Sequence, residues 1–235
     1  MSKSKIKYLK LPITFDVGRL QHDLEKALKF SWQRIHVEYH FEGDWNAISL
    51  ISPGGTYENI YAVNPDDSEP QLTQAAEECA YFKSILEGFG FPITSARLMR
   101  LAPKSYIKPH FDNDLGYGDG YFRLHLPIVT HKDIEFIVGG DRVVMDEGTL
   151  WYMNANHTHS VANNGNTARV HLVIDGVRNE ASDKLFLAVA KAEDFIPEPV
   201  EPTQEEKRMM IENLKIVGSP LALEMMEKLL KEIDE

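Results

Sequence analysis

Residues 110–128 read HFDNDLGYGDGYFRLHLPI. The segment opens on a histidine and an aspartate two positions apart, His110 and Asp112. It passes through the glycine-rich GYGDG (116–120) and closes as a strand-like run that carries Arg123 and His125. Alternate residues of a strand share a face, so each pair, His110 with Asp112 and Arg123 with His125, points to one side. Few apolar segments gather so many groups that are costly to bury.

Outward from this stretch the strand pattern continues. ITSARLMRLAP and SYIKPHFD precede it, and IEFIVGGDRVVM, GTLWYMN, HSVANN and ARVHLVID follow. Gly, Asn and Pro separate these runs at short spacing, which predicts a sandwich or barrel of antiparallel strands. VGGDRV is a tight-hairpin candidate. Upstream, DVGRLQHDLEKALKF (16–30) places Leu20, Leu24, Ala27 and Leu28 on one helical face, with Asp16 as N-cap. IHVEYHF and WNAISLIS read as strands that end at the turn SPGG, and NPDDSEPQ (64–71) reads as a polar loop. Thr73 opens a second helix to about Leu86, with Ala76, Cys79, Phe82 and Leu86 inward. Beyond Asp175 the chain turns helical. Pro197, Pro199 and Pro202 form a stiff break, Thr203 and Glu206 make a capping-box pattern, and helices are expected near 204–215 and 219–233.

The chain has 235 residues, which predicts one large domain or a domain with an appendage, and 43% of them are hydrophobic. Its formal net charge of -11 repels phosphate backbones and argues against nucleic acid as a partner. No run reaches the roughly 18 apolar residues that span a membrane. The N-terminal MSKSKIKYLKLPITFD is basic but has no apolar core of signal type. A cytoplasmic protein with a small-molecule substrate is expected; the oligomeric state is not legible. The single cysteine, Cys79, excludes an intramolecular disulfide and reads as a packing residue.

A His-x-Asp pair is a weak signal alone. Here a second histidine cluster, NHTHSVANN, brings His159 47 positions after Asp112, and Arg169 stands ten positions beyond His159. Two imidazoles and one carboxylate are the facial triad of non-haem Fe(II) oxygenases, which leaves coordination positions for a 2-oxo acid and O2. The remote carboxylate of such an acid needs a cation, and the planar fork of Arg matches it. Periodicity cannot choose between His157 and His159, which alternate onto the same side.

The stretch from RLMRLAPKSYIKPHFD to ARVHLVIDG, with WNAISLISPGG and ECAYFKSILEGF upstream, resembles the catalytic core of the aspartyl/asparaginyl β-hydroxylase family. That family is itself similar to the bacterial proline hydroxylases. The resemblance covers roughly residues 45–176. It implies a mainly β fold with flanking helices around a double-stranded β-helix, a jelly-roll or cupin-like core. Residues 1–178 are then expected to form the dioxygenase domain with its N-terminal helices, and 179–235 a helical extension. It implies Fe(II), 2-oxoglutarate and O2 as the reacting partners, and His110, Asp112 and His159 as the metal ligands. The distal ligand falls on His159 because Val161 and Asn163 complete a His-x-Val-x-Asn run. Arg169 falls on the distal 2-oxoglutarate arginine, and Arg123 and His125 on residues used around its carboxylates. The best-known animal members of the family lack the carboxylate ligand, whereas this chain keeps Asp112, as the bacterial free-amino-acid hydroxylases do.

The expected reaction is hydroxylation of an unactivated C–H bond of a free amino acid or related small acid. Two alternatives stay open: the same chemistry on an Asp, Asn or other side chain in a peptide or carrier-bound substrate, and a cupin-like binding or sensor protein without turnover. The GYGDG loop reads as a flexible lid. Arg97 and Arg100 are candidates for a substrate carboxylate, and His36 and His40 read as ordinary residues.

Overall fold

The computed structural model describes residues 4–61, 68–197 and 202–233. The strands are β1 (Tyr8–Thr14), β2 (Gln33–Arg34), β3 (Phe41–Glu42), β4 (Trp45–Pro53), β5 (Pro70–Leu72), β6 (Ile93–Leu101), β7 (Tyr106–His110), β8 (Tyr121–Val129), β9 (Ile134–Val138), β10 (Asp141–Arg142), β11 (Thr149–Met153), β12 (His159–Asn163) and β13 (Arg169–Val177). The helices are α1 (Val17–Ala27), α2 (Gln74–Glu78), α3 (Ala80–Gly88), α4 (Glu180–Leu187), α5 (Gln204–Val217) and α6 (Pro220–Ile233).

Among the described residues, the larger sheet runs β1-β11-β8-β13-β6-β4-β2, with β5 added to β4, and the smaller runs β10-β9-β12-β7-β3. Every pairing is antiparallel. This is the expected jelly roll. The period-two pattern of the larger sheet separates two environments. Phe122, Leu124, Leu126 and Ile128 of β8 and Val170, Leu172 and Ile174 of β13 join one core with Leu20 and Leu24 of α1 and Phe82 of α3. A second core joins Met99, Leu101, Met153 and Val173 to Ile107, Phe136, Val138 and Val161 of the smaller sheet. Arg97, Arg123, His125, Arg169, His171 and Asp175 are the positions left between the apolar ones.

Asp16 caps α1 as expected, accepting from Arg19 N at 2.9 Å. The VGGDRV hairpin is β9–β10, where Gly139 (φ 56°) and Gly140 (φ 87°) take the left-handed conformations that such a turn demands. The helix expected over 73–86 breaks at Cys79 into α2 and α3. α3 has no cap of its own: Asp23 of α1 reaches across and accepts from Tyr81 N (2.6 Å) and Phe82 N (3.1 Å). Cys79 is buried and its thiol donates to Asp23 O, with burial pushing its pKa up to about 12, so packing is its role. The strand expected over 35–41 is instead a 3-10 turn, Glu38–His40, between the short β2 and β3. NPDDSEPQ lies partly outside the described residues, and its last two residues belong to β5. The proline-rich break likewise lies mostly outside them.

The larger compact unit extends to Pro197 rather than ending at 178. The reason is aromatic. Phe186 of α4 is fully buried, its ring stacked on Tyr117 at 4.0 Å, and Phe195 lies in the same core. Burying a phenylalanine is worth about 1.5–3 kcal/mol. α5 and α6 pair with each other in a second unit, and Thr203 with Glu206 forms the expected capping box. No helix among the described residues is long and apolar enough to cross a membrane.

Candidate metal centre and active site

His110 ends β7 and His159 begins β12, and the two are directly paired across the antiparallel ladder. Their rings lie 4.3 Å apart. β7 stops at His110, so Asp112 is not held by strand alternation as the sequence suggested. Its backbone N–H donates to Ala155 O at 2.9 Å, which folds the loop back towards β12. Phe111 between them points outward, 55% exposed. One ligand atom from each of His110, Asp112 and His159 lies within 4.8 Å of the others.

The imidazoles are pre-set as ligands. Nδ1 of His110 bonds Lys108 O (2.8 Å) and Nδ1 of His159 bonds His157 O (2.9 Å). A carbonyl only accepts, so each Nδ1 is the donor in its bond and the proposed metal-facing nitrogen is Nε2. Burial and the neighbouring His110 push His159 down to about 4, which keeps it neutral. Burial alone raises the Asp112 carboxyl, but Arg123, His159 and His110 outweigh it and hold the group below its ordinary value. A carboxylate with two imidazoles fits a divalent first-row metal.

These three residues open onto a cavity of about 450 Å³, large enough for two small acids. Ile35, Ile60, Met99, Ile107, Met153 and Val173 make most of its wall apolar. Arg169 lies 3% exposed in this wall, and no carboxylate among the described residues pairs with it. Its Nη2 donates to His171 Nδ1 at 2.8 Å, and its Nε has no partner. Burial pushes the guanidinium down to about 9, so it is a cation at neutral pH. His125 is buried beside it with neither ring nitrogen bonded. Burial and the Arg169 charge hold His125 well below its ordinary value, as they do His171.

Arg123 also lines the cavity, but its guanidinium is already engaged. Nε and Nη2 donate to Asp175, and Nη1 donates to Oδ2 of Asp112. Asp175 was not singled out in the sequence, although it shares the face of Arg169 and His171 by strict alternation on β13. His36 and His40 were read as ordinary, yet both line the cavity mouth, and His40 lies 5.1 Å from His110. Nothing in their local sequence marks them; the 3-10 turn brings them there. Of the two candidate arginines, Arg97 faces the cavity and Arg100 does not. His157 does not line the cavity; its Nε2 bonds Ser4 O at 3.1 Å.

The GYGDG loop is not a lid. Tyr117 is buried, its N–H donating to Tyr152 Oη at 2.9 Å and its hydroxyl to Asp183. A Cβ on Gly118 would meet Phe195 O at 2.4 Å, so that glycine allows close packing, not motion.

Residues 15–179 match the family described as Aspartyl/Asparaginyl beta-hydroxylase. The chain belongs to that family. It is similar to L-proline cis-3-hydroxylase 1 from Streptomyces sp, 27% identical over 184 residues, which cover 73% of this chain and 60% of that protein. It is also similar to L-proline cis-4-hydroxylase from Rhizobium meliloti (strain 1021), 26% identical over 166 residues, 69% of this chain and 58% of that protein. The matches therefore span less than two thirds of these hydroxylases. Among solved structures, an oxidoreductase of the 2OG-Fe(II) oxygenase family from Burkholderia pseudomallei superposes with a TM-score of 0.51 at 18% identity, over 74% of this chain and 86% of that one. That likeness agrees with the jelly-roll topology.

Proposed function

We propose that this family member is an Fe(II)/2-oxoglutarate-dependent hydroxylase of a free amino acid or related small acid. The observation that carries the reading is the pairing of a two-histidine, one-carboxylate donor set with an unpaired buried cation, Arg169, in one cavity. A buried guanidinium without a counter-charge is costly unless a ligand supplies an anion. His110, Asp112 and His159 hold the metal, and Arg169 takes the remote carboxylate of 2-oxoglutarate. His125, kept neutral beside Arg169, adds a donor to the same wall without adding charge. The apolar wall excludes water from the reacting atoms. When bound, Fe(II) couples O2 to the oxidative decarboxylation of 2-oxoglutarate: one oxygen atom enters succinate, CO2 leaves, and the other oxygen hydroxylates the substrate.

The two relatives named as L-proline hydroxylases support a small amino acid as the substrate class. Exposed Tyr39 and Tyr61 at the mouth favour, as a second reading, a substrate that extends beyond the cavity, such as a peptide or carrier-bound residue. An intact donor set with an unpaired Arg169 argues against a non-catalytic binding protein. The test is incubation with Fe(II), 2-oxoglutarate, O2 and a panel of amino acids and peptides. Succinate release coupled to a mass gain of one oxygen on an amino acid is the expected result. No iron-dependent succinate with any substrate would sink the reading.

A further inference from the structure

Asp175 lies on β13, on the polar face between the sheets, 3% exposed. Its Oδ1 accepts from Arg123 Nε at 2.7 Å, and its Oδ2 accepts from Arg123 Nη2 at 3.1 Å and from Arg97 Nη2 at 2.8 Å. Arg123 then turns Nη1 onto Oδ2 of Asp112. Arg97, Asp175, Arg123 and Asp112 thus form a chain of alternating charge that ends on a metal ligand. Burial opposes each of these charges, yet Arg123 and Arg97 hold the Asp175 carboxyl below its ordinary value.

The geometry separates two roles for Asp175. A counter-ion for Arg97 needs one oxygen, and Arg97 has another partner, donating from Nη1 to Ile60 O at 3.2 Å. Both Asp175 oxygens are nevertheless committed to Arg123. Two near-parallel bonds fix the plane of a guanidinium. With that plane fixed, both N–H bonds of Nη1 lie in it, and one of them donates to Asp112 Oδ2. Asp112 itself sits on a loop beyond the end of β7, its side chain 33% exposed. Beyond the strand, its backbone N–H donates to Ala155 O.

We propose that Asp175 is a positioning residue of the metal centre: through the Arg123 fork it occupies Oδ2 of Asp112 and leaves Oδ1 as the single ligating oxygen. The inference rests on His110, Asp112 and His159 being the ligands. A carboxylate that ligates through one oxygen takes one coordination position instead of two. That keeps three positions open for a chelating 2-oxo acid and one more ligand.

The probe is Co(II), whose visible absorption bands report ligand number and geometry, titrated into the metal-free full chain. Wild type, Asp175→Asn and Arg123→Lys are compared, with circular dichroism to confirm folding. Asp175→Asn is expected to bind Co(II) about 10–100-fold more weakly and to show altered bands. Arg123→Lys is expected to do the same, because an ammonium cannot hold two carboxylates in a planar fork. A purely structural role would lower the melting temperature and leave both affinity and bands as in wild type. A folded Asp175→Asn variant with wild-type Co(II) affinity and bands overturns the proposal. If Asp175→Asn does not fold, Arg123→Lys decides by the same two readouts. A wild-type chain that binds no Co(II) overturns the ligand assignment itself, which is a different failure.

Discussion

His157 and His159 are two positions apart and both buried, yet their proposed parts in the centre differ. His159 would offer Nε2; His157 offers its backbone carbonyl to His159 Nδ1. His157→Ala keeps that carbonyl, so it is expected to keep metal, whereas His159→Ala should lose it. An iron titration of both variants checks this, and metal loss in His157→Ala alone would reverse the assignment. For Arg169, truncating half of a buried charge pair costs roughly 3–5 kcal/mol. At about 1.4 kcal/mol per tenfold change, Arg169→Ala should raise the 2-oxoglutarate half-saturation on the order of a hundredfold or more. Arg169→Lys should recover only part of this, and iron content should stay unchanged in both. An unchanged half-saturation in Arg169→Ala would move the anchor elsewhere. At this scale the proposed ligands were legible because a His-x-Asp pair, a histidine cluster and an arginine each stand out in sequence, although the choice of His159 over His157 was implied only by the family resemblance. Asp175 was not, since a lone aspartate at the end of an apolar run gives no hint that two arginines from neighbouring strands converge on it.

Among the elements, α3 shows where local sequence reading stops. Its apolar face is visible in the spacing of Phe82 and Leu86, but its cap comes from Asp23, 58 positions before Tyr81. Thr73 signalled a helix start correctly, accepting from Ala76 N. The break at Cys79 has no such local mark. Asp23→Ala leaves two N–H groups without an acceptor, at a cost of roughly 2–3 kcal/mol. For a chain of this size that corresponds to a fall of about 4–12 °C in melting temperature. Thermal denaturation checks it; Asp23→Asn, which keeps an acceptor oxygen, should recover much of the loss. A melting temperature equal to wild type in Asp23→Ala would mean that water or another group caps α3. β7 and the 35–41 segment misled for the opposite reason. Both have strand-like composition, but the chain leaves the ladder at His110 and turns at Glu38–His40, where tertiary pairing overrides local preference.

For the whole molecule, the buried histidines set the response to acid. His125 and His171 lie well below their ordinary value, and His159 near 4, all chiefly through burial. Unfolding exposes them to water, where they take up protons below about 6.5. The unfolded chain therefore binds more protons than the folded one below that pH, and stability falls as pH drops. For His159 alone the loss approaches roughly 3 kcal/mol by pH ~4. Asp112 and Asp175, held below their ordinary value, add a further loss only at lower pH. Urea denaturation of the metal-free chain from pH 8 to 4 should show a midpoint that declines from about pH 6.5. A flat midpoint down to pH 5 would mean that these histidines are not held neutral. A sandwich or barrel of antiparallel strands was legible because closely spaced strand signals leave few ways to pair, and the family resemblance implied the jelly roll; the end of the larger unit was not legible, because Phe186 and Phe195 look no different from surface aromatics until Tyr117 lies beneath them.

Along β8 and β13, residues serving the helix-covered core alternate with residues such as Arg123, His125, Arg169 and Asp175 on the face between the sheets. For a lineage descending from this chain, point substitutions can therefore explore catalysis and stability almost separately. A one-residue insertion or deletion within either strand cannot, because it exchanges the two sets at once. Arg169, His171 and Asp175 would enter the apolar core, and Val170, Leu172 and Ile174 would face the metal. Length variation is thus confined to connections such as 130–133 and 164–168, and new substrate preferences are expected to arise by single replacements at rim positions such as His36 and Tyr61.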